Sequence, residues 1–192
     1  MANPREAMLG ELREDGTIVF ERTLPGPIER VWTHIIDGDK RSLWLAGGDM
    51  PTVPDAMARM RFDHAALTDD QPPAKYTGAD APLVMDYEVL LCEPPRHIRF
   101  TWPDARREDQ PPPSGAITSV VDIQLIPRGK DVVLRLTHSG VHYGRDGTIG
   151  LLAGWDAHLA LLGGELDGTR QRRFWAYFAE AEALYAKRYS AA

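Results

Sequence analysis

The sequence is short of what would mark a secreted, membrane-embedded or nucleic-acid-binding protein. It has one cysteine, Cys92, so no disulfide can close within the chain and a reducing compartment is expected. No apolar run approaches the roughly 18 residues that a membrane helix needs. The opening Met1-Ala2-Asn3-Pro4-Arg5-Glu6 lacks the apolar core of a secretion signal, so the chain reads as cytoplasmic. Positive charge is in deficit: 22 Lys and Arg stand against 28 Asp and Glu, a net charge of −6. That argues against nucleic acid or an anionic membrane surface as the default partner, and no membrane insertion is expected. Internal repeats and an interdomain linker are also missing, and 192 residues read as one domain, with or without an appendage.

The most organised stretch is 148–168. Leu152, Trp155, Leu159, Leu162 and Leu166 recur at steps of three and four, which predicts a helix with one strongly apolar stripe. Thr148 reads as its N-cap and Gly168 as its stop. Upstream, apolar and polar residues alternate over 17–24, 57–66, 83–91, 96–102, 116–126 and 131–138, predicting six half-buried strands. Met8 to Leu12 reads as a short extra strand before the turn at Asp15-Gly16. Pro27 suits the first position of a helix carrying Ile28, Val31, Trp32 and Ile35, and 40–45 reads as a second short helix. Phe174, Phe178, Ala181 and Tyr185 mark a last amphipathic helix.

Several phrases in this order resemble one family. They are Phe20-Glu21-Arg22-Thr23-Leu24, Pro27-Ile28-Glu29-Arg30-Val31-Trp32, Leu43-Trp44-Leu45, Glu93-Pro94-Pro95-Arg96 with Phe100-Thr101-Trp102, and Gly154-Trp155 followed by Leu159, Leu162 and Leu166. Together they are similar to the START-like proteins grouped as homologues of the activator of the heat-shock-protein-90 ATPase. The resemblance covers about residues 17–168. It implies an α+β helix-grip fold: a curved antiparallel sheet of about six strands wrapped around a long C-terminal helix, with two short helices after the first strand and a cavity between sheet and helix. On this division 1–16 is an N-terminal tail or extra strand, 17–168 the domain, and 169–192 a helical extension. Three roles fit the extension: covering the sheet, closing the cavity, or pairing two copies as a homodimer.

A meander reverses at each turn, so the long connections after the second, fourth and sixth strands gather at one end, and the short turns at the other. A pocket is therefore expected at the long-loop end. Alternation places His64, Leu83, Trp102 and His138 nearest that mouth, with Trp155 on the helix and Tyr87 one layer deeper. Phe62, Met85, Val89, Phe100, Val121, Leu134, Leu136, Leu159 and Leu162 would line the interior. The expected partner is a small apolar or aromatic, lipid-like molecule.

Chemistry is harder to find. His64, His138 and His142 have the residue type of a three-histidine metal site, but unrelated rim histidines is the preferred reading; neither metal nor cofactor is expected. Gly144-Arg145-Asp146-Gly147 lacks a phosphate-loop pattern. Ser139 beside His138 has no orienting carboxylate or nucleophile elbow. Asp156 reads as a surface acid, His158 as a boundary residue and Cys92 as a small core residue. Tyr87 fits equally a satisfied core tyrosine and a ligand contact. The first reading is a binding module. The second is a polyketide cyclase or hydrolase using Tyr87, His64 or His138 for acid–base work. The third is a co-chaperone.

Overall fold

Period-two alternation becomes strand where one face can be buried, and β2 (Ile18–Pro25) does this by burying Ile18, Phe20 and Leu24 while exposing Glu21 and Thr23. The protein, described here by a computed structural model over residues 9–76, 81–111 and 118–190, repeats that pattern along a meander. Ahead of β2 lies β1 (Glu11–Leu12); after it come β3 (Met57–Phe62), β4 (Leu83–Glu93), β5 (His97–Trp102), β6 (Ser119–Arg128) and β7 (Asp131–Ser139). The helices are α1 (Ile28–Ile36), α2 (Gly38–Arg41), α3 (Gly144–Asp167) and α4 (Phe174–Arg188). Seven strands form one sheet in the order β1-β2-β7-β6-β5-β4-β3, every neighbour antiparallel. This is the helix-grip architecture, with β1 as the one strand beyond the expected six. The expected strand starts at Met8 and at 116–117 lie outside the described residues.

Local boundaries move where side chains compete for backbone groups. The second predicted strand stops at Phe62, because Asp63 accepts from Ala66 N–H and turns His64–Leu67 into a 3-10 helix. His64 therefore sits on a turn rather than on a strand face. The second short helix begins at Gly38 rather than 40, since Asp37 caps it by accepting from Lys40 N–H. Pro27 occupies the N-cap of α1, one position before the expected one. The long helix starts at Gly144, four residues before Thr148, whose hydroxyl donates back to Gly144 O inside the first turns. Its end is as expected: Gly168 takes the left-handed conformation, φ 80°, that glycine adopts without a Cβ penalty.

α3 is buried on two sides. Leu152, Trp155, Leu159, Leu162 and Leu166 are all buried, and so are Ala153, Ala157 and Leu161 on other faces. The sheet covers one side and α4 the other. α4 buries Phe174, Trp175, Phe178, Ala181 and Tyr185. It is stitched to its own chain: Gly10 N–H donates to Tyr185 Oη at 2.6 Å, Leu12 N–H to Tyr189 Oη at 3.0 Å, and Tyr76 Oη to Glu182 at 2.7 Å. Because α3 is the shared core of both layers, Leu159→Ala is expected to cost about 2–5 kcal/mol. Chemical denaturation measures it, and a loss below about 1 kcal/mol would make the helix peripheral.

Asp156 is not the surface acid that the sequence suggested. Arg22 on β2 points inward and pairs with it, and Tyr185 Oη donates to its other oxygen. A guanidinium that is 7% exposed needs such a partner, since a buried unpaired charge is costly.

Candidate functional site

β3, β5 and β7 end on one side of the sheet, where the long connections 63–82, 103–118 and 140–143 begin, while 94–96 and 129–130 make the tight turns at the other. A cavity of about 280 Å³ lies at the long-loop end. β3 and β5 contribute Phe62 and Trp102, the 3-10 turns contribute His64 and Tyr76, and α4 contributes Phe174, Trp175 and Phe178. α3 contributes Gly150, Gly154, Trp155 and His158, and Leu83, Ala105 and Leu151 complete the wall. Every charged residue type other than histidine is missing from this lining.

The walls are rings packed edge to face, tilted or stacked on one another. Phe62 and Trp102 meet at 5.7 Å between centroids, Trp102 and Trp155 at 5.0 Å, and Phe174 and Trp175 at 4.9 Å. His64 stacks on Phe174 at 4.6 Å and lies 5.6 Å from His158. α3 is glycine where it passes the cavity, which leaves the space wider there. A Cβ added at Gly154 would meet nothing nearer than Phe178 at 4.0 Å, and one at Gly150 only the Tyr76 hydroxyl at 3.5 Å. Glycine inside a helix costs about 0.5–1 kcal/mol relative to alanine. Two such positions, one turn apart and facing the same space, widen it.

Five of the residues picked from the sequence, Phe62, His64, Leu83, Trp102 and Trp155, wall this cavity. The deeper ones do not. Met85, Phe100, Val121 and Leu136 are packed shut behind it, together with Val89, Leu134 and Leu162. Leu159 faces a second cavity, of about 360 Å³, between β2, α3 and α4, where Arg22 and Asp156 form part of the wall. Alternation tells which face a residue is on but not whether opposing faces touch. Here they touch over most of the sheet and part at the mouth and, beside β2, at the second cavity. Tyr76, Gly150, Gly154, His158, Phe174, Trp175 and Phe178 were missed, because they come from a loop turn, from α3 and from α4. The apolar run of α4 was the signal that could have found three of them.

Tyr87 is a satisfied core tyrosine. Its hydroxyl donates to Asp49 O at 2.6 Å, and burial pushes its pKa up to about 12. It is a poor acid–base group there.

His138 is fully buried and its protons can be assigned by elimination. Trp155 Nε1–H can only donate, so His138 Nδ1, at 3.1 Å, must accept. His138 Nε2 then carries the proton and donates to Ser119 Oγ at 2.7 Å, while the Ser119 hydroxyl donates to Trp102 O at 2.7 Å. The serine beside this histidine is thus Ser119 across the β6–β7 ladder, not Ser139. The polarity is the reverse of a nucleophile–base pair: the histidine gives its proton to the serine, and the serine proton is committed to a backbone carbonyl. Burial holds the His138 pKa down to about 4. The chain of bonds ties β5, β6, β7 and α3 behind the cavity wall.

His158 is also buried and bonded. Its Nδ1 lies 2.6 Å from Trp44 O, which can only accept, so Nδ1 carries the proton. Burial, and next the facing His64, push its pKa down to about 3. His142 is exposed on the connection between β7 and α3, and His138 is fully buried. No three His, Cys, Asp or Glu side chains among the described residues converge in a way that could hold a metal ion. Cys92 is half-buried near the 94–96 turn, and burial raises its thiol pKa. Among the described residues no helix is long and apolar enough to cross a membrane.

The sequence matches the family described as Activator of Hsp90 ATPase homolog 1-like protein over residues 25–167. Among solved structures, the protein encoded by gene BPP1335 from Bordetella parapertussis is 39% identical, with a TM-score of 0.71, 98% of this chain and 95% of that one being covered. CalU16 from Micromonospora echinospora is 17% identical with a TM-score of 0.54, over 93% of this chain and 92% of its own. A protein from Arthrobacter aurescens is 11% identical with a TM-score of 0.67, over 85% and 93%. The last two are likenesses of fold. No curated protein matches.

Proposed function

Since the chain belongs to the Activator of Hsp90 ATPase homolog 1-like family, we propose that it works as that fold's binding form, holding a compact, mainly apolar aromatic molecule in the cavity between Trp102, Trp155 and α4. The observation that carries this reading is the pair of helical glycines, Gly150 and Gly154, opening onto a box of aromatic rings. A packed core would gain stability from alanine at both positions, so the open space is better explained by use than by packing. Size narrows the ligand. A cavity of about 150 Å³ suffices for benzene, so the 280 Å³ available here suits two fused rings. A long acyl chain would not fit within it. The committed polarity of His138 and Ser119 and the bonded hydroxyl of Tyr87 favour binding over the cyclase or hydrolase alternative.

Naphthalene titrated into the protein is expected to quench tryptophan fluorescence with micromolar affinity, about −8 kcal/mol. Gly154→Leu should fill the cavity and abolish the quenching, while the unfolding midpoint holds or rises. Absence of quenching in the parent, or unchanged binding by Gly154→Leu, would sink the proposal.

A further inference from the structure

Among the polar atoms of the cavity wall, one stands out. His158 lines the cavity, and its Nδ1–H is spent on Trp44 O at 2.6 Å. The neutral ring therefore turns a bare lone pair on Nε2 outward from that bond. Among the described residues Nε2 has no hydrogen-bond partner. It is also not sealed in: the fully enclosed unpartnered side-chain atoms of the described residues are Arg41 Nε and Asp70 Oδ2 only. Trp155, Phe174 and His64 surround the ring, all three of them walls of the same cavity, and the cavity is the open space it reaches.

Resting on the binding reading above, we infer that His158 Nε2 is a specificity point that selects neutral aromatic molecules carrying an O–H or N–H donor, such as phenols or indoles. The chemistry works in both directions. A donor on the ligand completes the hydrogen-bonding capacity of a nitrogen that is otherwise left with solvent. A ligand that can only accept sets its lone pair against that of Nε2. A carboxylate fares worst, because the wall holds no Lys or Arg to receive it. Protonation of His158 does not rescue the anion at neutral pH, since burial keeps this imidazole uncharged well below pH 6.

The test is a panel of shape-matched two-ring probes at pH 7.5, measured by calorimetry on the full chain: naphthalene, 2-naphthol, quinoline and 2-naphthoate. 2-Naphthol is expected to bind about three- to tenfold tighter than naphthalene or quinoline, and 2-naphthoate weakest of all. His158→Phe should keep naphthalene binding and lose the preference for 2-naphthol. His158→Gln, which retains both an N–H for Trp44 O and an acceptor, should keep part of it. Equal affinity of the parent for naphthalene, 2-naphthol and quinoline would overturn the inference and leave the cavity reading standing. So would 2-naphthoate binding as tightly as 2-naphthol. If no probe binds, the cavity reading falls and this inference with it. The parent panel decides even if neither variant folds.

Discussion

Ending the chain after Gly168 is expected to leave a protein without a cooperative fold. α4 buries Phe174, Trp175, Phe178 and Tyr185, each nearly complete in its burial. At roughly 1.5–3 kcal/mol per side chain, their loss removes about 6–12 kcal/mol of burial. That is comparable with the whole stability of an ordinary domain, about 5–15 kcal/mol. The loss is compounded on α3, whose outer side would face water, and at Asp156, which would lose the Tyr185 hydroxyl. Gly10 and Leu12 would lose their tyrosine acceptors as well. The truncated protein should be insoluble, or soluble with near-ultraviolet circular dichroism abolished. A soluble truncation that unfolds at the parental denaturant midpoint would show that α4 is dispensable. The cavity would then also need another wall in place of Phe174, Trp175 and Phe178.

Acidification from pH 7.5 to 5.0 is expected to cost roughly 4 kcal/mol of stability. The cause is a pair of histidines held neutral. His138 and His158 have folded pKa values of about 4 and about 3, against 6.5 for the free side chain. Both shifts come first from burial, which penalises the imidazolium; His158 also faces His64. The sign follows from proton counting. Between the folded and unfolded values the unfolded chain binds more protons, so stability is complete above about pH 6.5 and falls as pH drops toward 4. At pH 5 each unfolded imidazole is charged and each folded one is not, a difference of roughly 2 kcal/mol apiece. Urea midpoints at the two pH values measure the loss. Replacing His138 by glutamine should remove about half of it, whatever the change in absolute stability. Equal midpoints at pH 5.0 and 7.5 in the parent would mean that these imidazoles are not the buried neutral groups described here.

The local patterns carried the architecture. Alternation in 17–24, 83–91, 96–102 and 131–138 became β2, β4, β5 and β7, and the stripe from Leu152 to Leu166 became the core of α3. The phrases around Trp32, Trp44, Trp102 and Trp155 placed the chain in its family, and the count of long and short connections pointed to the end at which the cavity lies. These features depend on residues two to four positions apart, or on the length of a loop, and a sequence displays both directly.

Partners far apart in the chain needed the folded molecule. Ser119 meets His138 because β6 and β7 pair in one particular register, and Trp155 reaches the same ring from another element. Arg22 finds Asp156 across 134 positions, which turns an apparent surface acid into the counter-ion of a buried guanidinium. His158 became a candidate recognition atom only once Trp44 O claimed its other nitrogen, 114 positions away. The cavity itself is of this kind. Val121 and Trp102 alternate inward on adjacent strands, yet Val121 is packed shut and Trp102 lines open space. Inward direction is a property of the strand, whereas emptiness is what remains after the sheet, α3 and α4 have closed on one another, with glycine at 150 and 154 widening the space beside Trp102.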